Sequence, residues 1–156
     1  MSTPKPAPQT RQTIIKAGCE LARRHGVLGL SVDKVLVMAG VSKGGFFHHF
    51  PTKQALIVAV VESELDRFDV AAGAHMDKGL SFPEAVVEAL LDFLKSNATM
   101  MASVNAALAF GEELRNIVSA RRAAWHAQLR RSLRPNARAD LAQIRRALVL
   151  AMGVRT

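Results

Sequence analysis

The stretch from Ser31 to Leu56, SVDKVLVMAGVSKGGFFHHFPTKQAL, constrains this chain more than any other, because helix starts and stops alternate in it at short range. Ser31 is placed to cap a short helix, since a serine oxygen accepts from the free N–H groups of a first turn. Val32, Val35, Leu36 and Ala39 would face inward from it. Gly40 closes that helix and makes a turn, because glycine reaches the left-handed conformation at a helix end without strain. Ser42 then caps a third helix, Lys43 to about His49. Pro51 ends it, and Thr52 caps a long fourth helix from Lys53 to about His75.

The rest of the chain also reads as helix. A first helix is expected from about Arg11 to His25, with Thr10 as its N-cap and Ile14, Ile15, Ala17, Leu21 and Ala22 on one apolar face. Gly26 suits the left-handed position after it, and Cys19 within it reads as a buried, inert thiol. The run Ala55 to Val61 is apolar all round and must be buried on most sides. Ser81-Phe-Pro-Glu84 is a capping box opening a fifth helix to about Lys95, with Phe82, Val86, Val87, Leu90, Leu91 and Leu94 inside. Further helices are expected over Met100 to Phe110, Glu112 to Leu133 and Ala137 to Met152. Strand-like alternation is absent and the sequence has no tyrosine, so the fold class is all-α. Residues 1–9, with Pro4, Pro6 and Pro8, read as a disordered tail. Residues 10–52 form a three-helix helix-turn-helix domain, and 53–156 a helical domain.

Composition narrows the function classes. With 156 residues and 49% apolar side chains the chain can bury a core without staples, and disorder throughout is excluded. The apolar run Ala55–Val61 is far short of the roughly 18 residues a membrane span needs. Residues 1–10 show no signal-peptide core, and Cys19 alone gives neither a disulfide framework nor metal-ligand spacing. A soluble cytoplasmic protein, without cofactor or bound metal, is the expectation. Charge is unevenly spread: net +6 over residues 1–60, −7 over 61–114 and +9 over 115–156. Such asymmetry suggests a polyanion partner for a basic segment, while many of the C-terminal arginines suit solvated helix faces.

Two short helices joined by a tight turn are the sequence form of a helix-turn-helix, whose second helix lies in the major groove of DNA. The second helix here opens with Ser42, Lys43, Gly44 and Gly45. Two glycines in a first turn cost roughly 1 kcal/mol each relative to alanine, a cost that packing does not require. It makes sense where backbone must approach a base edge or phosphate. Phe46 and Phe50, spaced i and i+4, anchor one face inward and leave Phe47, His48 and His49 on the others. A metal site at His48 and His49 is discounted, because adjacent helical residues point about 100° apart and no carboxylate or cysteine stands beside them. Lys53, at the start of the fourth helix, is placed to meet the DNA backbone. The candidate DNA-binding residues are Ser31, Lys34, Ser42, Lys43, Gly44, Gly45, Phe47, His48, His49 and Lys53.

Residues 11 to 56 resemble the DNA-binding domain of the tetracycline-repressor (TetR) family of bacterial regulators. The resemblance rests on Arg11, Ile14, Ile15 and Ala17, then Gly26, Ser31 and Val32, then Ala39-Gly40-Val41-Ser42-Lys43-Gly44, and finally Phe47, His49, Phe50, Lys53 and Leu56. It departs at Phe47, where the family has tyrosine, at Leu36 and Val37, where it has a small and a polar residue, and at Val27, where it has an aromatic. The resemblance implies a ligand-responsive transcriptional regulator, a repressor in most such proteins, binding a palindromic operator on double-stranded DNA as a homodimer. It also implies that the remaining helices bind an effector and form the dimer, and that ligand entry moves the fourth helix.

A small apolar or amphipathic effector has a candidate pocket in Phe93, Met100, Met101, Phe110, Trp125 and Leu129, although each also suits ordinary core. Asn105 and His126 are polar groups beside it. Leu141, Ile144 and Leu148 form a stripe on the last helix that suits a dimer interface. Family members end with two long helices of this kind and this sequence has one, so the C-terminal domain reads as short or truncated. Two other readings stand beside the regulator. An enzyme finds no support in spacing, since His75, Glu112, Glu113 and His126 make no catalytic pair and no nucleophile elbow, P-loop or metal motif is present. A helical interaction module that keeps the fold but has lost specific DNA binding is the alternative.

Overall fold

The computed structural model describes residues 7–108 and 111–132, and all regular structure among them is helical. The elements are α1 (Ala7–His25), α2 (Val32–Ala39), α3 (Lys43–His49), α4 (Lys53–Asp77), α5 (Phe82–Ala107) and α6 (Glu112–Ser132). The local signals act as expected. Ser31, Ser42 and Thr52 accept hydrogen bonds from the N–H groups of Lys34, Gly45 and Ala55. Gly40 takes φ +64° after α2, and the Val41 N–H reaches the Leu36 carbonyl across it, satisfying a carbonyl at the helix end. Glu84 Oε2 accepts from both the N–H and the hydroxyl of Ser81, closing the capping box ahead of α5. Those two bonds hold the Glu84 carboxyl below its ordinary pKa.

α1 begins at Ala7, before the expected start at Arg11, so residues 7–9 of the expected tail are helical and Thr10 lies inside the helix. Pro8 is compatible with a first turn, where no N–H partner is needed, and Thr13 donates its hydroxyl to the Gln9 carbonyl one turn back. The separate helices expected on either side of Lys95 and Met100 are one continuous element, α5, kinked at Asn97 (φ −137°, ψ 22°). The side-chain amide of Asn97 donates to the Phe93 carbonyl and to Ser96 Oγ, offering the backbone a substitute at the break. Leu91, expected inside, is 46% exposed. The inward face of α5 is set by Val86, Ala89, Leu90 and Phe93, and Leu91 falls about 100° away from Leu90.

Two apolar clusters hold the helices together. The larger joins α1, α2 and α3 to the first half of α4, the end of α5 and the start of α6; Leu56 to Val61 are all buried in it, as an apolar-all-round segment requires. The smaller joins the second half of α4 (Phe68, Ala72) to the first half of α5 and to Leu129 of α6. The small helices therefore share one core with the long ones, and α1 packs against both α4 and α5. The expected helix over Ala137 to Met152 lies outside the described residues.

Candidate functional site

α3 presents two contrasting faces. Phe46 and Phe50 are buried, with ring centroids 5.8 Å apart, and fasten the helix to the core. Burying two such rings contributes about 1.5–3 kcal/mol each, enough to hold a helix too short to persist alone. The Arg11 guanidinium of α1 lies 5.2 Å from the Phe50 ring centroid, a cation–π contact at the same anchor. Lys43, Gly44, Phe47 and His48 are exposed, and their spacing makes them one strip along the helix. Phe47 is 42% exposed and sets its ring edge-on to Phe46. His49 is half-buried beside His48.

The glycines of this turn are not required by the protein's own packing. A Cβ added at Gly44 meets nothing within 4 Å, and one added at Gly45 meets only Ser42 Oγ, at 3.3 Å. Neither has positive φ. Bare backbone at Gly44 therefore faces outward, alongside the Lys43 side chain.

The other candidate residues surround this strip. Ser42 is exposed at its N-cap position, and Ser31 is half-buried at the start of α2, with Lys34 exposed one turn on. Lys53 is exposed at the start of α4 and donates from Nζ to the Leu28 carbonyl at 3.3 Å. Val37, on α2, is 84% exposed.

A cavity of about 50 Å³ lies between α4, α5 and α6. Of the expected pocket residues it brings together Phe93, Met100 and Trp125, with Asn105 beside them. Leu129 is instead buried in the smaller core cluster, one turn beyond Trp125. The Met101 side chain and Phe110 lie outside the described residues, as do Leu141, Ile144 and Leu148. His126 is half-buried on α6. Among the described residues no group of three His, Cys, Asp or Glu is placed to hold a metal ion. His75 Nε2 stands 3.3 Å from Asp92 Oδ2, an ion-pair geometry between α4 and α5.

Sequence reasoning missed Glu64. It is 2% exposed, lines the cavity, and accepts from Arg23 Nη2 of α1 at 2.5 Å. The signal was available: Val60, Glu64, Phe68 and Ala72 follow each other at four-residue spacing, so Glu64 sits on the apolar stripe of α4. Ser103 was missed too. Its Oγ accepts the Val27 N–H at 2.8 Å and donates to the Met100 carbonyl at 2.7 Å, tying the turn after α1 to α5. Arg121 pairs with Asp66 and Asp69, and Trp125 Nε1 donates to Asp69 at 2.6 Å, so α6 is pinned to α4 by polar contacts as well. Those carboxylates raise the Arg121 pKa above its ordinary value.

Comparison with known proteins agrees with this geometry. Residues 14–60 match the model of the tetR family of bacterial regulatory proteins. The TetC protein of transposon Tn10 from Escherichia coli is 29% identical over 90 residues, which cover 56% of this chain and 46% of TetC. The HTH-type transcriptional regulator CymR of Pseudomonas putida is 33% identical over 86 residues, covering 55% of this chain and 42% of CymR. These matches span less than half the length of either relative. A tetR-family transcriptional regulator from Streptomyces coelicolor shares the fold with a TM-score of 0.69 at 21% identity, over 98% of this chain and 69% of that one. Among the described residues no helix is long and apolar enough to cross a membrane.

Proposed function

We propose that this chain is a ligand-responsive transcription regulator that binds a palindromic operator on double-stranded DNA as a homodimer and represses from it. The observation that carries the reading is the α3 turn: exposed backbone at Gly44 beside Lys43, with no internal contact that calls for glycine, on a helix fastened by Phe46 and Phe50. A helix of this kind fits a major groove about 12 Å wide, and its lysine and histidines supply donors to phosphates and bases. In a symmetric dimer two copies of α3 would sit about 34–36 Å apart, one turn of the duplex. The C-terminal stripe Leu141, Ile144 and Leu148 supplies the dimer contact in this reading. The cavity between α4, α5 and α6 receives a small effector, and binding shifts the population between dimer states that do and do not match the operator. The site of action is the cytoplasm, and no chemistry is carried out on the effector.

The test is selection from a library of random duplexes at low salt, followed by sequencing of the bound pool. Enrichment of a palindrome supports the regulator. A pool without enrichment overturns it and leaves a helical interaction module of the same fold.

A further inference from the structure

We propose that Trp125 is a gate between the closed cavity and an open groove beside it, and that the molecule it admits is uncharged and largely apolar. The proposal rests on the reading of the cavity as the effector site and names the route in and the chemistry of the effector. The cavity is about 50 Å³, well below the few hundred Å³ of a formed ligand site. A groove of about 360 Å³ runs along α4 and α6 beside the start of α5, with Met76, Ala124 and Gln128 exposed at its rim. The two spaces share two wall residues, Phe68 and Trp125, whose ring centroids are 4.8 Å apart. That ring pair is the partition, and joining the two spaces gives the volume of a formed site.

Phe68 is the fixed half of the partition. It is buried in the smaller core cluster and set edge-on to Phe93, with centroids 5.9 Å apart. Trp125 is half-buried, and its indole N–H makes one hydrogen bond, to Asp69 Oδ1 at 2.6 Å. Asp69 is held in turn by Arg121, one turn before Trp125 on α6. The latch is therefore one bond between α6 and α4, and breaking it lets the indole leave the partition while Phe68 stays in place. The charges around both spaces are matched within the protein: Glu64 is paired with Arg23 and Arg67, and Arg121 with Asp66 and Asp69. Apart from Glu64 and Asn105 the cavity walls are apolar. A charged ligand would be buried there without a counter-ion, which is unfavourable, whereas an uncharged apolar body gains by leaving water. Opening the gate parts Trp125 from Asp69, so occupancy changes how α4, the helix that follows α3, is held by α6.

The experiment is stopped-flow mixing of the whole chain, without DNA, with two fluorescent probes of one skeleton. N-phenyl-1-naphthylamine is uncharged, and 1-anilinonaphthalene-8-sulfonate carries a negative charge. The expected result is saturable binding of the uncharged probe, about tenfold or more tighter than of the sulfonate. Trp125→Phe keeps a ring in the partition but removes the indole N–H, and should speed association about tenfold, the size of a lost charge-assisted hydrogen bond. Gly73→Leu puts a side chain into the groove, where an added Cβ meets nothing within 4 Å, and should slow association about tenfold in a folded protein. A purely structural role for Trp125 would leave the Gly73 variant at the wild-type rate. Equal or tighter binding of the sulfonate, absence of saturation with the uncharged probe, an unchanged association rate in folded Trp125→Phe, or a wild-type rate in Gly73→Leu would overturn the proposal. If Trp125→Phe does not fold, Gly73→Leu and the wild-type comparison of the two probes decide. Duplex selection tests the regulator and this experiment the gate, so either can fail while the other stands.

Discussion

The Val27 N–H donates to Ser103 Oγ at 2.8 Å, bridging the turn that follows α1 and the end of α5. Gly26, just before it, has φ +74°, and a Cβ there would stand 2.7 Å from the Ser103 Cβ. Both residues therefore serve the seam between the helix-turn-helix and the longer helices. Gly26→Ala should destabilise by about 1–3 kcal/mol through strain at positive φ and the clash. Ser103→Ala should cost about 1–3 kcal/mol by leaving the Val27 N–H unpaired. Urea unfolding of both variants measures this, and midpoints equal to wild type would show that the seam carries no such strain.

Gly44→Ala separates folding from recognition. The added Cβ meets nothing in the protein, and alanine favours helix over glycine by about 1 kcal/mol. The variant should melt at or above the wild-type temperature. Its duplex affinity should nevertheless fall about tenfold, because the methyl group stands between backbone and DNA. Thermal melting and fluorescence anisotropy with a selected duplex are the paired measurements.

Phe47→Tyr tests the one position on the exposed strip where the sequence departs from the related family. The ring is 42% exposed, so a hydroxyl should change stability by less than about 0.5 kcal/mol. A new donor to a phosphate should tighten duplex binding by about 1.5–3 kcal/mol, roughly ten- to hundredfold. Unchanged affinity would place Phe47 away from the DNA backbone.

Cys19 provides a test of the α1–α4 interface through pH. Burial, and secondarily the negative charge of Glu64, pushes its thiol up to about 11 from an ordinary 9.0. The folded pKa is raised, so the unfolded chain loses this proton first. The contribution to stability is complete below about pH 9 and fades as pH rises toward about 11. Wild type should lose more stability across that window than Cys19→Ala does, in parallel urea titrations. At neutral pH the thiol should react with iodoacetamide far more slowly than it does in unfolded chain.

Much of the fold was legible because its signals are local. Ser31, Gly40, Ser42, Thr52 and Ser81 each act on backbone within a few residues, so the sequence places α2, α3 and the starts of α4 and α5 without knowledge of the core. The buried pair Phe46 and Phe50 and the exposed Phe47 and His48 follow from helical spacing alone. What escaped depends on packing between distant segments. The stripe Val60, Glu64, Phe68 and Ala72 marks Glu64 as inward, but its partner Arg23 comes from α1 and only the fold brings the two together. Ser103 looks like a small helical residue until the Val27 N–H needs an acceptor. The kink at Asn97 reads as a gap between helices, because a side chain that replaces backbone hydrogen bonds permits continuation where local propensity signals a stop. The cavity was half legible: Phe93, Met100 and Trp125 belong to it, while the depth of Leu129 is set by the first half of α5, which its own helix does not encode.

The most direct test of the central claim is the affinity of wild type and Lys43→Ala for a selected palindromic duplex across a salt series. If α3 lies against the duplex, log affinity should fall linearly with log salt. Lys43→Ala should weaken binding and flatten the slope by about 0.9, the loss of one phosphate contact. Equal affinity and an equal slope for the two proteins at every salt concentration would contradict the assignment of α3 as the element that meets DNA.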